Sequence, residues 1–176
     1  NSGAADFPFA NVQGTTIQYG CAAKGSIATS ANTIFWLGQD IQGRGVVWMA
    51  EGYQPSRIST FAVETAIQSY ENISDAVAYT YQEEGHYFYV LVFSGANTTW
   101  VYDIGLKQWH ERAYFNPVSS FYERHRAQCH IFAFNKHLVG DYENGKIYEQ
   151  SLSIYDDDGA PKRWMRTMPH MSGPSL

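Results

Sequence analysis

Six histidines are the residues of this sequence best suited to metal binding or proton transfer, and three of them lie close together. His125 and His130 are five residues apart, and His130 and His137 are seven apart. In a strand, an odd separation sends two side chains to opposite faces unless a turn intervenes. The spacing therefore does not predict a zinc site. His110 and Glu111 point opposite ways for the same reason, so they do not form an acid–base pair.

Two groups of carboxylates could bind a cation or act as paired acids. Asp156, Asp157 and Asp158 precede Gly159, but they lack the alternating ligands and distal glutamate of an EF-hand loop. A solvated turn is favoured there, and Ca²⁺ binding by the three aspartates stays open. A second group could supply the two carboxylates of a glycoside hydrolase, although the sequence selects no pair among its members: Glu83, Glu84, Asp103 and Glu111.

The sequence contains no motif that activates a nucleophile or encloses a phosphate. The surroundings of Ser94, Cys21 and Cys129 lack a G-x-S-x-G elbow, and the glycine-rich stretch at 43–45 is too short for a phosphate loop. We expect the two cysteines to be buried free thiols, with one long-range disulfide as the alternative. The sequence thus predicts no catalytic residue, no metal ligand and no cofactor, and we expect a protein that is not an enzyme.

Two small basic clusters are the candidate interaction surface. Either could contact phosphates or an acidic partner, whereas solvated loops or protein contacts are the favoured use beside 17 acidic residues. The net charge of -5 argues against the broad basic surface of a general nucleic-acid binder, and direct contact with DNA stays open. The candidates are Arg124, His125, Arg126, Lys162, Arg163 and Arg166.

The elements that would position these side chains are predicted to be strands. Aromatic residues make up 16% of the chain and suit a pleated, half-buried surface. Strand-like runs at 33–37 and 46–49 superpose without a gap on runs at 87–91 and 100–103, at an offset of 54 residues. A third copy at 130–134 and 146–149 has a loop three residues longer. We predict a repeated β module.

Flanking runs at 15–20, 76–81 and 118–122 would precede the three copies, and runs at 108–112 and 162–167 would close the last two. Four short strands recurring every 40–55 residues or so are typical of propeller blades. The prediction is one all-β domain over residues 1–176 with blades at about 15–58, 76–113 and 118–167, and a helix at about 59–70. No apolar run approaches the ~20 residues of a membrane span, so we expect a soluble domain.

The second and third modules carry a family resemblance. The phrases GHYFYVLVF (85–93), TWVYD (99–103) and WHER (109–112) are followed by runs at 130–141, 145–149, 155–159 and 166–170. In order and spacing these resemble the packaged-DNA-stabilisation or tail-hub proteins of short-tailed bacteriophages, over about residues 59–170. Tyr102 and Asp103 followed by Trp109 are also similar, more weakly, to a kelch blade.

The resemblance implies a structural virion protein of the phage tail that is assembled in the host cytoplasm as a homo-oligomeric ring. Such a ring would help to close the portal channel, stabilise packaged DNA and take part in its ejection. Its partners would be portal or portal-adaptor proteins, the tail needle and the tailspikes. Family members are longer, so the chain would be a fragment. The alternatives are a carbohydrate-binding or glycan-processing propeller and a kelch-like peptide adaptor.

Overall fold

The computed structural model describes residues 14–163, and nearly all of its regular structure is antiparallel β-sheet. This confirms the predicted all-β class. The described residues form three main sheets, two short two-stranded ribbons and one α-helix. Within this part of the chain, no helix is long and apolar enough to cross a membrane.

Sheet one is a four-stranded meander in which each strand pairs with the next along the chain. Its inner face carries Phe35, Leu37 and Val47, which are completely buried against sheet two. Alternate residues of one strand line one face of a sheet, so these apolar positions define the packed face. The strands are β1 Ala28–Ser30, β2 Thr33–Gln39, β3 Gly45–Glu51 and β4 Gln54–Arg57.

Helix α1, Phe61–Gln68, follows sheet one and lies within the stretch predicted to be helical. The Thr60 side chain caps it by accepting a hydrogen bond from the Val63 backbone N–H. Val63 and Ile67 are buried in the core shared by sheets one and two. Gly45 allows this close approach, because a Cβ atom at that position would clash with Ile67.

Sheet two is the central layer and has four strands, β5 Val77–Glu83, β6 His86–Phe93, β7 Thr98–Asp103 and β8 Gln108–Glu111. Tyr89, Leu91 and Phe93 face sheet one, while Val90 and Val92 face sheet three, and all five are fully buried. A strand with both faces covered loses the alternation of apolar and polar residues. The continuous apolar run in β6 is therefore the consequence of its central position.

Sheet three has three strands, β11 Ala127–Ala133, β12 Lys136–Asp141 and β13 Ile147–Gln150. A two-stranded ribbon, β9 Ala113–Phe115 with β10 Tyr122–Arg124, connects it to sheet two. A second hairpin follows it, with β14 Asp156–Asp157 and β15 Ala160–Pro161.

The three sheets are stacked through their first strands. Strand β5 contacts β1 on one side and β11 on the other. Sheet two is consequently covered on both faces, whereas the outer face of sheet three exposes apolar side chains such as Ile131 and Ile147, with 61% and 73% of their surface accessible. Neighbouring blades of a propeller cover one another's apolar faces in the same stacked arrangement.

Two of the predicted flanking strands are wrong, and a third lies mostly outside the described residues. Residues 15–20 are not a strand; β1 pairs beside β2 instead. Residues 118–121 lie in the connection between β9 and β10, and Tyr122 begins β10, so this run does not join sheet three. The predicted closing strand at 162–167 is not a strand at 162–163, and its other residues lie outside the described part of the chain.

The predicted register of the third copy is wrong, because strand β12 lies between the two runs that were paired. By its contact with β5, strand β11 corresponds to the first strand of a sheet and not to the second. The turn that separates β11 from β12 consists of Phe134 and Asn135, which both have positive φ (54° and 59°). A two-residue turn of this kind usually contains glycine. Because neither residue is glycine, the sequence gives no signal of this turn.

The cysteines are free, as predicted, but both are exposed and not buried. Cys129 lies on the outer face of sheet three, where Gly140 on β12 leaves space beside its sulfur. Cys21 precedes the first strand, and its thiol donates to the Ala23 carbonyl oxygen at 3.1 Å.

Truncation of Leu91 should destabilise the chain strongly, because this side chain is fully buried between sheets one and two. We expect Leu91→Ala to lower the free energy of unfolding by about 2–5 kcal/mol in equilibrium urea unfolding. Leu106→Ala is the matched control, since Leu106 is 59% exposed, and should cost no more than about 0.5 kcal/mol. Equal losses in the two variants would contradict the packing described here.

Candidate interaction surface

The two basic clusters of the sequence meet beside sheet three. Arg124, His125 and Arg126 lie at the junction of β10 and β11, and Lys162 and Arg163 follow β15. His125 and Lys162 line two adjacent clefts of about 360 and 640 Å³. The structure therefore brings five of the six candidates into one region. The sixth, Arg166, lies outside the described residues.

Arg124 is buried and makes only internal contacts that connect sheet two to sheet three. Its Nη1 donates to the Ser94 hydroxyl at 2.9 Å, and its guanidinium carbon lies 3.5 Å from the centre of the Tyr142 ring. Its backbone N–H donates to the Asn97 side-chain oxygen at 3.1 Å. Ser94 and Asn97 belong to the turn between β6 and β7, whereas Tyr142 follows β12. The side chain thus serves packing between the sheets.

Arg126 is held in a largely buried ion pair. Its Nε lies 2.7 Å from Asp141 Oδ2 and its Nη2 lies 3.1 Å from Glu143 Oε2, while the guanidinium lies over the Tyr114 ring. Burial opposes the charged form of Arg126, but the hydrogen bond and charge of Asp141 outweigh it, so the pKa of Arg126 is raised. Its charge is neutralised locally and is not presented to solvent.

His125 is neutral at pH 7 and adds no positive charge to the surface. The Ala127 backbone N–H donates to its Nδ1 at 3.3 Å. Burial of the ring lowers the pKa of His125 to about 3, and the positive charges of Arg112 and Lys162 act in the same direction. Some of its surface remains accessible in the two clefts.

Among the five described candidates, Lys162 and Arg163 are exposed. Lys162 Nζ lies 3.4 Å from Asp157 Oδ1. The Arg163 guanidinium carbon lies 4.7 Å from the centre of the Phe115 ring and 5.9 Å from that of Tyr122. Aromatic faces attract a guanidinium electrostatically. These contacts hold the end of the β14–β15 segment against the β9–β10 ribbon.

Two of the three aspartates at 156–158 form ion pairs with lysines. Asp157 pairs with Lys162, and Asp158 pairs with Lys146 at 3.2 Å. A hydrogen bond from Tyr148, followed by one from Lys146, lowers the pKa of Asp158. In the described residues, no three histidine, cysteine or acidic side chains are placed to hold a metal ion. Ca²⁺ binding at the three aspartates remains only a prediction left open.

The other candidate acids and histidines are distributed through sheets two and three. Asp103 is buried and accepts a hydrogen bond from His86 Nδ1 at 2.8 Å, so it is part of a structural pair. His130 and His137 are brought together by the turn at 134–135, the exception that the odd-spacing rule allows. The side chains that contact Arg124 and Arg126 inside the fold were not predicted: Ser94, Tyr114, Asp141 and Tyr142. For Asp141 and Tyr142 alone, the turn-forming Asp-x-x-Asn-Gly order at 141–145 was a sequence signal.

A protein-family model described as bacteriophage P22 Gp10, beta-propeller, matches residues 1–155. The chain belongs to this phage stabilisation family. No curated protein matches the chain in sequence. Membership confirms the predicted resemblance and the propeller-like fold, so the three stacked sheets can be called blades. It makes the chain a bacteriophage structural protein with a place in the virion. Lys162 and Arg163 lie beyond the matched residues, whereas Arg124 and Arg126 lie within them.

Removing the Arg126 guanidinium should leave the Asp141 carboxylate, which is only 2% exposed, without its cation, although backbone hydrogen bonds from Glu143 and Asn144 remain. We expect Arg126→Met to lower the free energy of unfolding by about 3 kcal/mol in urea. Arg44→Met is the matched control, because its partner Asp40 and Arg44 itself are 28% and 45% exposed. That change should cost less than about 1 kcal/mol. A cost as small for Arg126 as for Arg44 would refute an internal role.

Burial of His125 should make the stability of the folded chain decrease at acidic pH. Its pKa is about 3 in the folded chain against an ordinary value of 6.5. The unfolded chain therefore binds a proton that the folded chain excludes, and stability is full above pH 6.5 and falls as the pH drops towards 3. One such group changes the free energy of unfolding by at most about 1.4 kcal/mol per pH unit.

His125→Gln should flatten this pH dependence in urea unfolding measured between pH 7 and pH 4, even if it lowers stability at every pH. His110→Gln, on the exposed end of β8, is the comparison; burial also lowers the pKa of His110, so this variant should remove part of the slope but less of it than His125→Gln. An unchanged slope in the His125 variant would show that the ring is not shielded as described.

Proposed function

We propose that this chain is part of a phage tail hub, a homo-oligomeric ring that helps to close the portal channel and stabilises packaged DNA. It would connect the portal or portal-adaptor proteins to the tail needle and tailspikes. The observation that carries the proposal is the match of the P22 Gp10 family model to residues 1–155. The blades of this propeller form a tightly packed scaffold, which suits a structural role.

The distribution of charge favours closure of the portal channel through contacts with other proteins over direct binding of DNA phosphates. The net charge is -5, and Arg124 and Arg126 are used inside the fold. A surface that held phosphates would need exposed cations along its length. We propose that Lys162 and Arg163, with Arg166, contact an acidic surface of a neighbouring tail protein.

The mechanism in this proposal is mechanical. The blades keep their turns in fixed positions because both faces of sheet two are buried. Rotational symmetry repeats each contact around the ring, so weak contacts made by one copy add up to stable attachment.

Sugar binding is not favoured as a second function. It was suggested by the aromatic content, but the aromatic side chains of sheet two serve the core except Tyr87, which is 40% exposed. Tyr89 and Phe93 are fully buried, and Tyr79, Tyr81 and Tyr102 are nearly so. A sugar-stacking platform requires accessible rings.

The test is deletion of the gene that encodes this protein from the phage, followed by complementation with the full phage protein. We expect deletion particles to package DNA and then lose it, measured as DNase-resistant DNA per head, and complementation to restore retention. Cryo-electron microscopy of complemented virions should locate the protein in the tail. Normal DNA retention without the protein, or its absence from the tail, would overturn the proposal.

The same complementation assay tests the basic residues. The double variant Lys162→Glu with Arg163→Glu should lower infectious titre by at least about tenfold if the pair contacts an acidic partner, since like charges across an interface repel. The double variant Lys24→Glu with Lys107→Glu, at two exposed positions before β1 and between β7 and β8, is the charge-matched control and should leave the titre unchanged. Equal titres would place the partner contact elsewhere.

A further inference from the structure

Two histidine rings lie where sheet three meets sheet two. His130 Nε2 is 2.9 Å from His137 Nδ1, and the ring centres are 5.2 Å apart. The His130 ring is stacked on Tyr79 at 6.0 Å and lies 5.5 Å from Tyr81, and His137 meets the edge of Tyr81 at 6.1 Å. Both tyrosines belong to β5, so the histidine pair forms part of the contact between β11 and β5.

Strand register places the two rings on one face. Phe132 is paired with His137, and His130 with Val139, across the β11–β12 hairpin. Residues paired across an antiparallel ladder point to the same face, as do residues two apart in one strand. His130 and His137 are therefore diagonal neighbours on the face that covers sheet two.

The hydrogen bonds determine where the protons lie. The Thr80 backbone carbonyl accepts a hydrogen bond from the His130 ring. Because His130 Nε2 is engaged with His137, that donor is the Nδ1–H group, and Nε2 of the neutral ring must accept. His137 Nδ1–H is then the donor between the rings. In the neutral pair these bonds occupy three of the four ring nitrogens, and one added proton can reside on the fourth, His137 Nε2. A second added proton leaves two donors facing each other and two like charges in contact.

The groups around the pair favour its neutral form. From β5 the phenols of Tyr79 and Tyr81 face it, and burial raises the pKa of Tyr79, which keeps that phenol uncharged. Arg112 donates to the Tyr81 hydroxyl at 2.8 Å and brings a positive charge nearby. On β6, Phe88 separates Tyr81 from the His86–Asp103 pair.

The remaining neighbours belong to sheet three. On β13 the residue opposite His137 is Gln150, which is uncharged. The Lys136–Glu149 ion pair lies on the other face of the sheet, as does the Cys129 thiol. The described neighbours thus include one positive guanidinium close to the pair, while the carboxylates of Asp103 and Glu149 are paired with His86 and Lys136.

We propose that the His130–His137 pair is an acid-sensitive contact that holds the third blade on the second while it carries at most one proton, and that releases β11 from β5 when both rings are protonated. Burial, followed by the charge of His137, lowers the pKa of His130. The contribution of this contact to stability is thus present above the ordinary histidine pKa of 6.5 and is lost as the pH falls through the lower, folded value. The inference does not depend on the proposed tail function.

Nuclear magnetic resonance of the ¹⁵N-labelled chain tests the proton arrangement directly. At pH 7.5 a scalar coupling through the hydrogen bond should connect the nitrogen of His137 Nδ1 with that of His130 Nε2. It should vanish on acidification in step with the protonation of the second ring. Absence of the coupling at pH 7.5, or its persistence when both rings are protonated, would overturn the proposal.

Amide hydrogen exchange tests the consequence for the blades. Corrected for intrinsic exchange, opening of β11 amides takes up the second proton that the closed pair excludes, so opening should rise by up to about tenfold per pH unit on acidification in the wild-type chain. His137→Phe retains a ring but removes the like charge that opposes protonation of His130, so its opening should rise less steeply. His110→Gln is the control and should behave like the wild type. The local amide readout separates this contact from His125, and identical slopes in wild type and His137→Phe would refute the proposal.

Discussion

The burial of both faces of sheet two is the constraint on which the rest of the structure depends. Strand β6 places Tyr89, Leu91 and Phe93 against sheet one and Val90 and Val92 against sheet three, with no solvent access on either side. Such a strand cannot be stable alone, because each face needs another apolar sheet. The stacking of blades is therefore the direct consequence of one sequence segment.

Polar contacts then set how the outer layers sit on this centre. Tyr89 donates from its hydroxyl to the Ser26 carbonyl oxygen at 2.8 Å, and Trp109 donates from its indole to the Ile58 carbonyl oxygen at 2.8 Å. On the other side, Arg124 joins the β6–β7 turn to Tyr142, and the histidine pair faces β5. Apolar area drives the layers together, and these directional bonds select one arrangement of them.

The need for directional contacts between the sheets explains why two arginines that look suited to binding a partner stabilise the fold instead. Arg124 and Arg126 are adjacent to the ribbon between blades two and three, where aromatic rings and Asp141 surround them. The exposed cations Lys162 and Arg163 lie at the carboxyl end of the described residues. They line the larger of the two clefts beside sheet three. In the proposed tail hub, contacts repeated by symmetry could use such a cleft without a broad basic surface.

The all-β class, the family, the strands of sheet two and the helix could be predicted from the sequence, because each depends on local periodicity or on motif order. It mistook the strand order of the third blade, since Phe134 and Asn135 form a positive-φ turn without a glycine to mark it. It also predicted buried cysteines, whereas Cys129 lies on the outer face of sheet three, and a thiol's burial depends on which face the register selects.

The roles of the charged and titratable side chains depend on contacts between strands that are far apart in the sequence. The partners of Arg124 are 27 to 30 residues upstream and 18 downstream in the chain, and His130 meets His137 only across a turn. Hydrogen bonds, ion pairs and shifts of pKa depend on distances of a few ångströms between atoms of different strands. Sequence spacing constrains those distances within one strand and leaves them open between strands, which is why the scaffold was predictable and the placement of its charges was not.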